Sequence, residues 1–149
     1  MKVLFICTAN VCRSPLAEGY LKHLLAHETP EIEVSSAGVL ARSGSPAFEC
    51  AVEVGRLNGF DLAPHRARLL TPEIAAGVDL ILCMETWQAS KVLDLDQNLI
   101  GKTVLLGNYH PGKQRLFQIP DPRSFNVPHT LEVFQLIQES IQGLHKTLL

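Results

Sequence analysis

An excess of charge of either sign is missing from this chain. Thirteen Lys and Arg stand against fifteen Asp and Glu, for a net charge of −2 over 149 residues. Such a balance offers no basic field for nucleic acid and no polybasic patch for an anionic membrane, so neither is expected as a partner. Long apolar runs are also absent, and none approaches the ~18 residues of a membrane span. The short apolar run after Met1-Lys2 has no small-x-small cleavage site behind it, and Arg13 arrives too early for a signal peptide. A cytoplasmic location is therefore expected. Cysteine is sparse, at positions 7, 12, 50 and 83, with no CxxC pair and no His close enough to Cys7 and Cys12 to complete a zinc site. Apolar residues make up 46% of the chain, enough to build a core without disulfide staples. Cys50 and Cys83 lie in helical and strand-like stretches and read as buried thiols. No metal or other cofactor is expected. Repeats and low-complexity tracts are lacking, and the length suits one domain over residues 1–149.

What is present alternates. KVLFIC (Lys2–Cys7), IEVSSA (Ile32–Ala37), DLILCM (Asp79–Met84) and TVLL (Thr103–Leu106) read as strands, the first and third apolar enough to be buried on both faces. Ser14-Pro15 is an N-cap and first-turn signal for a helix running to about His27 and stopped by Thr29-Pro30. Ser45-Pro46 repeats that signal ahead of Ala47, Ala51, Val54 and Leu57, ending at Asn58-Gly59. Thr71-Pro72-Glu73 opens a short helix to about Gly77, and Glu85 to about Leu93 forms another. The last helix starts near Pro128 and carries Phe134, Ile137, Ile141, Leu144 and Leu148 on one stripe. Strands alternating with helices predict a three-layer α/β domain, a parallel sheet flanked by helices in the flavodoxin-like or Rossmann-like manner. Ligands of such folds sit beyond the carboxyl ends of the strands, which is where Cys7 falls.

The loop from Cys7 to Ser14 (CTANVCRS) must turn a strand into a helix. Successive main-chain N–H groups in such a loop form a nest for an anion, and the helix behind it adds unpaired N–H groups and the positive end of its dipole. The nucleotide-binding pattern GxxxxGK[ST] is absent, so phosphate itself is the expected guest. A helix N-terminus and a neighbouring guanidinium favour a thiolate, which at the floor of this cradle is aimed at phosphorus. Arg13, the only cation in the loop, can clamp two phosphoryl oxygens at once. The Ser14 hydroxyl can donate to the Cys7 sulfur. Cys12 reads as a small buried thiol or as a partner for a reversible disulfide that protects Cys7 from over-oxidation.

With these residues in view, the chain resembles the low-molecular-weight protein tyrosine phosphatases over nearly its whole length. CTANVCRSP resembles that family's phosphate-binding loop. SSAG at Ser35–Gly38, PHRARLLT at Pro64–Thr71, DLILCM, LLGNYHPGK at Leu105–Lys113 and IPDP at Ile119–Pro122 resemble further segments in the right order. The resemblance implies a four-stranded parallel sheet and hydrolysis of phosphotyrosine without a metal. It implies Cys7 as nucleophile, Arg13 as phosphoryl clamp and Asp121 as general acid. It places Thr8, Ala9, Asn10, Val11, Cys12 and Ser14 around the phosphate, with Asn10, Ser14, Ser36 and His65 forming a network that holds the loop. Asp79 has the wrong end of a strand for the acid, and Asp94 and Asp96 lie in a solvated stretch. The expected partners are a phosphorylated protein and inorganic phosphate or another oxyanion.

Two departures bear on substrate choice. The family's usual aromatic after Asp-Pro is replaced by Arg123, with Phe125 two residues on. The loop after the second strand, Val39–Ser45, has no aromatic and carries Leu40 and Arg42. Phe125 is expected to supply one wall for the ring, with Leu40 also in the substrate pocket and Arg42 and Arg123 favouring acidic sequence around the phosphorylated residue. Rival classes remain. Phosphoarginine phosphatases tend to carry threonine where Val11 stands. Arsenate reductases pass oxidation to cysteines further down the chain, whereas Cys83 is the last one here. A non-catalytic phosphate-binding module would lack the nucleophile or the acid, and both are intact.

Overall fold

A computed structural model describes residues 1–28, 31–114 and 117–148. The strands are β1 (Lys2–Cys7), β2 (Glu33–Gly38), β3 (Leu80–Cys83) and β4 (Thr103–Leu105), all parallel, in the order β2-β1-β3-β4. The helices are α1 (Arg13–Leu25), α2 (Glu49–Leu57), α3 (Pro72–Ala76), α4 (Thr86–Leu95) and α5 (Val127–Leu148). Short 3₁₀ turns flank β4 at Gln97–Lys102 and Leu106–Tyr109. None of these helices is long and apolar enough to cross a membrane.

The period-2 alternation of β1 splits its side chains between two cores. Val3 and Phe5 pack with Leu16, Leu21, Phe134, Ile137 and Ile141, filling the layer under α1, α2 and α5. Leu4 and Ile6 pack with Ile81, Cys83, Val92 and Leu105, filling the layer under α3 and α4. Both sets in β1 are fully buried. Truncating Phe5 to alanine would cost about 3–5 kcal/mol by lost burial and cavity formation. β1 has β2 on one side and β3 on the other, so its carboxyl end opens into the crevice where the strand order reverses. At the opposite edge Asp79 accepts from Lys2 N at 2.7 Å, which pins β3 to β1 far from that crevice.

Several boundaries differ from the sequence reading, most by a residue or two, and three of them bear on the site. α1 begins at Arg13 with Cys12 as N-cap, so Ser14 is not a cap and its hydroxyl is free for other partners. Residues Ser45-Pro46 do not open a helix. Pro46 bridges Arg66, Ala67 N donates to Ser45 O at 2.7 Å, and this extended pairing postpones α2 to Glu49. β2 runs one residue later than expected and ends on Gly38 rather than before it. A Cβ on Gly38 would lie 2.7 Å from the Thr8 carbonyl oxygen, so only glycine lets β2 approach the loop after β1 this closely. The expected stop at Thr29-Pro30 lies outside the described residues; the helix itself ends at Leu25. Thr71 caps α3 by accepting from Ile74 N at 3.2 Å, with Pro72 at the first helical position.

Candidate active site

Asn10 is the hub of the hydrogen bonds that hold the loop between β1 and α1. Asn10 is fully buried and takes a left-handed conformation, φ 57°, which asparagine tolerates better than most residues. Its Nδ2 donates to Ser14 Oγ at 2.8 Å and to Ser36 Oγ at 2.9 Å, while its Oδ1 accepts from Arg68 N at 3.0 Å. Its carbonyl accepts from His65 Nε2 at 2.8 Å, which fixes the tautomer of that ring. The structure thus brings Asn10, Ser14, Ser36 and His65 together. Ser36 in turn donates to Glu18 Oε1 at 2.6 Å, and Lys22 Nζ donates to Glu18 Oε2 at 2.6 Å. Since Ser14 Oγ accepts from Asn10, its own proton is free for the Cys7 sulfur, 2.9 Å away. The N–H of Asn10 points at the same sulfur from 3.3 Å. Two donors thus converge on Sγ.

Arg13 is 1% exposed, an unusual place for a guanidinium. Nη1 donates to Glu85 Oε2 at 2.7 Å and to the Ile119 carbonyl at 2.8 Å. Nη2 faces Asp121 Oδ1 at 3.0 Å and Thr8 Oγ1 at 3.3 Å. Two carboxylates compensate the buried charge. The fifth donor, Nε, is buried and has no hydrogen-bond partner among the described residues. A cavity of about 210 Å³ is lined by Cys7, Thr8, Ala9, Val11, Cys12, Arg13, Asp121, Phe48 and Phe125. Most of its lining is apolar, with Arg13 and Asp121 as its charged groups. The rings of Phe48 and Phe125 meet edge to face with centroids 4.9 Å apart.

The remaining candidates lie further out. Leu40 and Arg42 line a neighbouring groove of about 520 Å³, not the cavity over Cys7. Arg123 turns away, with Nη2 3.7 Å from Glu132 on α5, so the two arginines do not converge. All four cysteines are free thiols. Burial, with Cys50 and Cys7 close by, pushes the Cys12 thiol far up, against the opposing pull of Arg13, and burial pushes Cys83 up to about 12. Both stay protonated near neutrality.

Sequence reasoning missed Glu18, Phe48, Arg68, Glu85 and Gln88. Glu85 follows β3, the neighbour of β1, and its position at the carboxyl edge was the available signal. It doubles as the N-cap of α4 in a reciprocal box with Gln88, whose Nε2 reaches Thr8 Oγ1 at 3.2 Å. Glu18 stands four residues after Ser14, on the same face of α1.

A buried thiol and a guanidinium with an unmet donor, converging beyond the carboxyl edge of a parallel sheet, define an α/β enzyme built to handle a tetrahedral oxyanion. Residues 2–149 match the family described as low molecular weight phosphotyrosine protein phosphatase, and the chain belongs to that family. Low molecular weight protein-tyrosine-phosphatase Etp of Escherichia coli K12 is 34% identical over 146 residues, covering 98% of this chain and 93% of that protein. The crystal structure of the tyrosine phosphatase AmsI of Erwinia amylovora superposes with a TM-score of 0.87 at 32% identity, over 98% of this chain and 91% of that one. The YwlE arginine phosphatase of Geobacillus stearothermophilus is also similar, with a TM-score of 0.88 at 28% identity, over 99% and 92% of the two chains.

Proposed function

We propose that this enzyme hydrolyses phosphotyrosine in proteins in two steps, through a phosphate carried on Cys7. The observation that carries the reading is the Arg13 guanidinium, which lines the same cavity as Cys7 and whose buried Nε has no hydrogen-bond partner among the described residues. A phosphoryl group entering this cavity takes Nε and displaces Asp121 from Nη2, so that one edge of the guanidinium grips two oxygens. Glu85 and the Ile119 carbonyl keep the other edge in place. Asp121, 55% exposed, is the carboxylate free to leave.

In the first step Cys7 Sγ bonds to phosphorus as the bond from phosphorus to the phenolic oxygen breaks. Asp121 gives its proton to that oxygen, which departs as the tyrosine hydroxyl. In the second step water attacks phosphorus, Asp121 takes the water's proton, and the sulfur leaves with the Ser14 hydroxyl donating to it. Inorganic phosphate is released. The transition states are loose, so the rate comes chiefly from positioning and charge stabilisation by Arg13 and the main-chain amides of residues 8–13. The Phe48–Phe125 pair and the apolar Val11 favour an aryl phosphate over the guanidinium phosphate handled by the arginine phosphatases. Four free thiols fit a cytoplasmic setting.

The test is hydrolysis of p-nitrophenyl phosphate in the presence of a chelator. Cys7→Ser should abolish turnover, and Asp121→Ala should lower kcat by about 10²–10⁴-fold, the range of a general acid. Rapid quenching of Asp121→Ala with ³²P-labelled substrate should capture label on Cys7. Undiminished turnover in Cys7→Ser would refute the assignment.

A further inference from the structure

Phe48 is the one large apolar side chain shared by the cavity over Cys7 and the groove beside it. Its position follows from the delayed start of α2. The pairing of Ser45-Pro46 with Arg66-Ala67 holds the chain extended, so Phe48 becomes the N-cap with φ −60° and ψ 147°. Its N–H donates to the Val11 carbonyl at 2.9 Å, which ties it to the phosphate-binding loop. Its carbonyl starts α2 by accepting from Val52 N at 3.0 Å. The backbone is therefore anchored at both ends, yet the ring remains 40% exposed, and so does its partner Phe125 at 51%. An edge-to-face pair left in water beside the cavity over Cys7 presents a hydrophobic wall to whatever enters.

The groove lies on the other side of that wall. It continues from the cavity through Ala9 and Val11 and is walled by Leu40, Pro46 and Ala47, with Arg42 and Glu49 at its rim. Leu40 is 62% exposed. The groove shares Ala9, Val11 and Phe48 with the cavity, so a polypeptide whose phosphotyrosine occupies the cavity has this groove beside it.

We propose that Phe48 divides one substrate channel into two compartments and makes the enzyme select phosphotyrosines that have an apolar residue next to them. The ring enters beside the Phe48–Phe125 pair, over Cys7. The neighbouring apolar side chain drops into the groove on the far face of Phe48, against Leu40 and Val11. This inference rests on the phosphotyrosine reading above and deepens it.

The experiment compares two phosphotyrosine peptides of equal charge, one with leucine on both sides of the phosphotyrosine and one with serine on both sides. Turnover of p-nitrophenyl phosphate, which cannot reach the groove, is measured alongside. The wild-type enzyme should prefer the leucine peptide by about tenfold in kcat/KM, the effect of largely burying one such side chain. Leu40→Ser, at an exposed position, should shrink that ratio to under threefold, and Leu40→Met should restore most of it. Reading both peptides on the same variant removes any change in overall activity. A wild-type ratio within twofold, or a ratio untouched by Leu40→Ser, overturns the proposal while hydrolysis of p-nitrophenyl phosphate leaves the parent reading standing. Failure to hydrolyse p-nitrophenyl phosphate overturns both.

Discussion

Replacing Asn10 should damage both stability and catalysis. In Asn10→Ala three side-chain hydrogen bonds vanish, those to Ser14, Ser36 and Arg68. Ser14 and Ser36 keep second partners in Cys7 and Glu18, so each loses about 0.5–1 kcal/mol. The Arg68 N–H is left without its acceptor, costing about 1–3 kcal/mol. Alanine at φ 57° adds about 1 kcal/mol of backbone strain. The total is about 3–6 kcal/mol. With an m-value of about 2 kcal/mol/M in urea, the unfolding midpoint should fall by about 2 M. Asn10→Gly loses the same bonds but not the backbone comfort, so it should lie about 1 kcal/mol above Asn10→Ala despite glycine's greater freedom in the unfolded chain. Both variants should lose at least tenfold in kcat/KM on p-nitrophenyl phosphate, because Ser14 is no longer aimed at the sulfur. Urea titrations followed by circular dichroism read the first effect and initial rates the second. An Asn10→Ala midpoint within 0.3 M of wild type, or equal stability of the alanine and glycine variants, would refute the reasoning.

Gly38→Ala should lower stability by about 1–3 kcal/mol and reduce kcat, since the new methyl meets the Thr8 carbonyl next to the nucleophile; thermal melts and initial rates check it. Alkaline pH should destabilise the fold through Cys83. Its thiol ordinarily titrates near 9.0 and is raised to about 12 in the folded chain, so above pH 9 the unfolded chain sheds a proton that the folded chain keeps. Stability contributed by this thiol is complete below pH 9 and drains away as the pH climbs towards 12. Urea titrations at pH 8 and 10.5 should show a smaller alkaline loss in Cys83→Ala than in wild type, whatever the variant's own baseline. Arg42→Ala should weaken turnover of acidic phosphopeptides several-fold at low salt and less at high salt, whereas Arg123→Ala, whose side chain faces Glu132, should change it by under twofold; kcat/KM at two ionic strengths separates them.

The frame of the site was legible because its grammar is local. An apolar run ending in Cys7, a polar loop and a helix start within a dozen residues state the strand, the cradle and the sheet edge it occupies. Parallel strand pairing and the two-sided core followed from alternation alone. The parts that escaped come from distant segments. Glu85 reaches Arg13 across 72 positions, and Arg68 reaches Asn10 across 58, so no periodicity could announce them. Ser45-Pro46 misled for a related reason: the dipeptide is a sound helix opener in isolation, but long-range pairing with Arg66-Ala67 outcompetes the local preference. That displacement is also why Phe48 went unnoticed. Arg123 stands where the family usually has an aromatic after Asp-Pro, which placed it in the pocket by resemblance, and Glu132 on α5 draws it outward instead.

The bond from the Phe48 N–H to the Val11 carbonyl uses only main-chain atoms. Whatever side chain stands at position 48 hangs from the rim of the phosphate cradle at the same height. The chain can therefore exchange that side chain, and with it the molecules it admits, while the sulfur and guanidinium beneath keep their alignment. Taste and chemistry are mounted on one rigid strut yet can be altered separately.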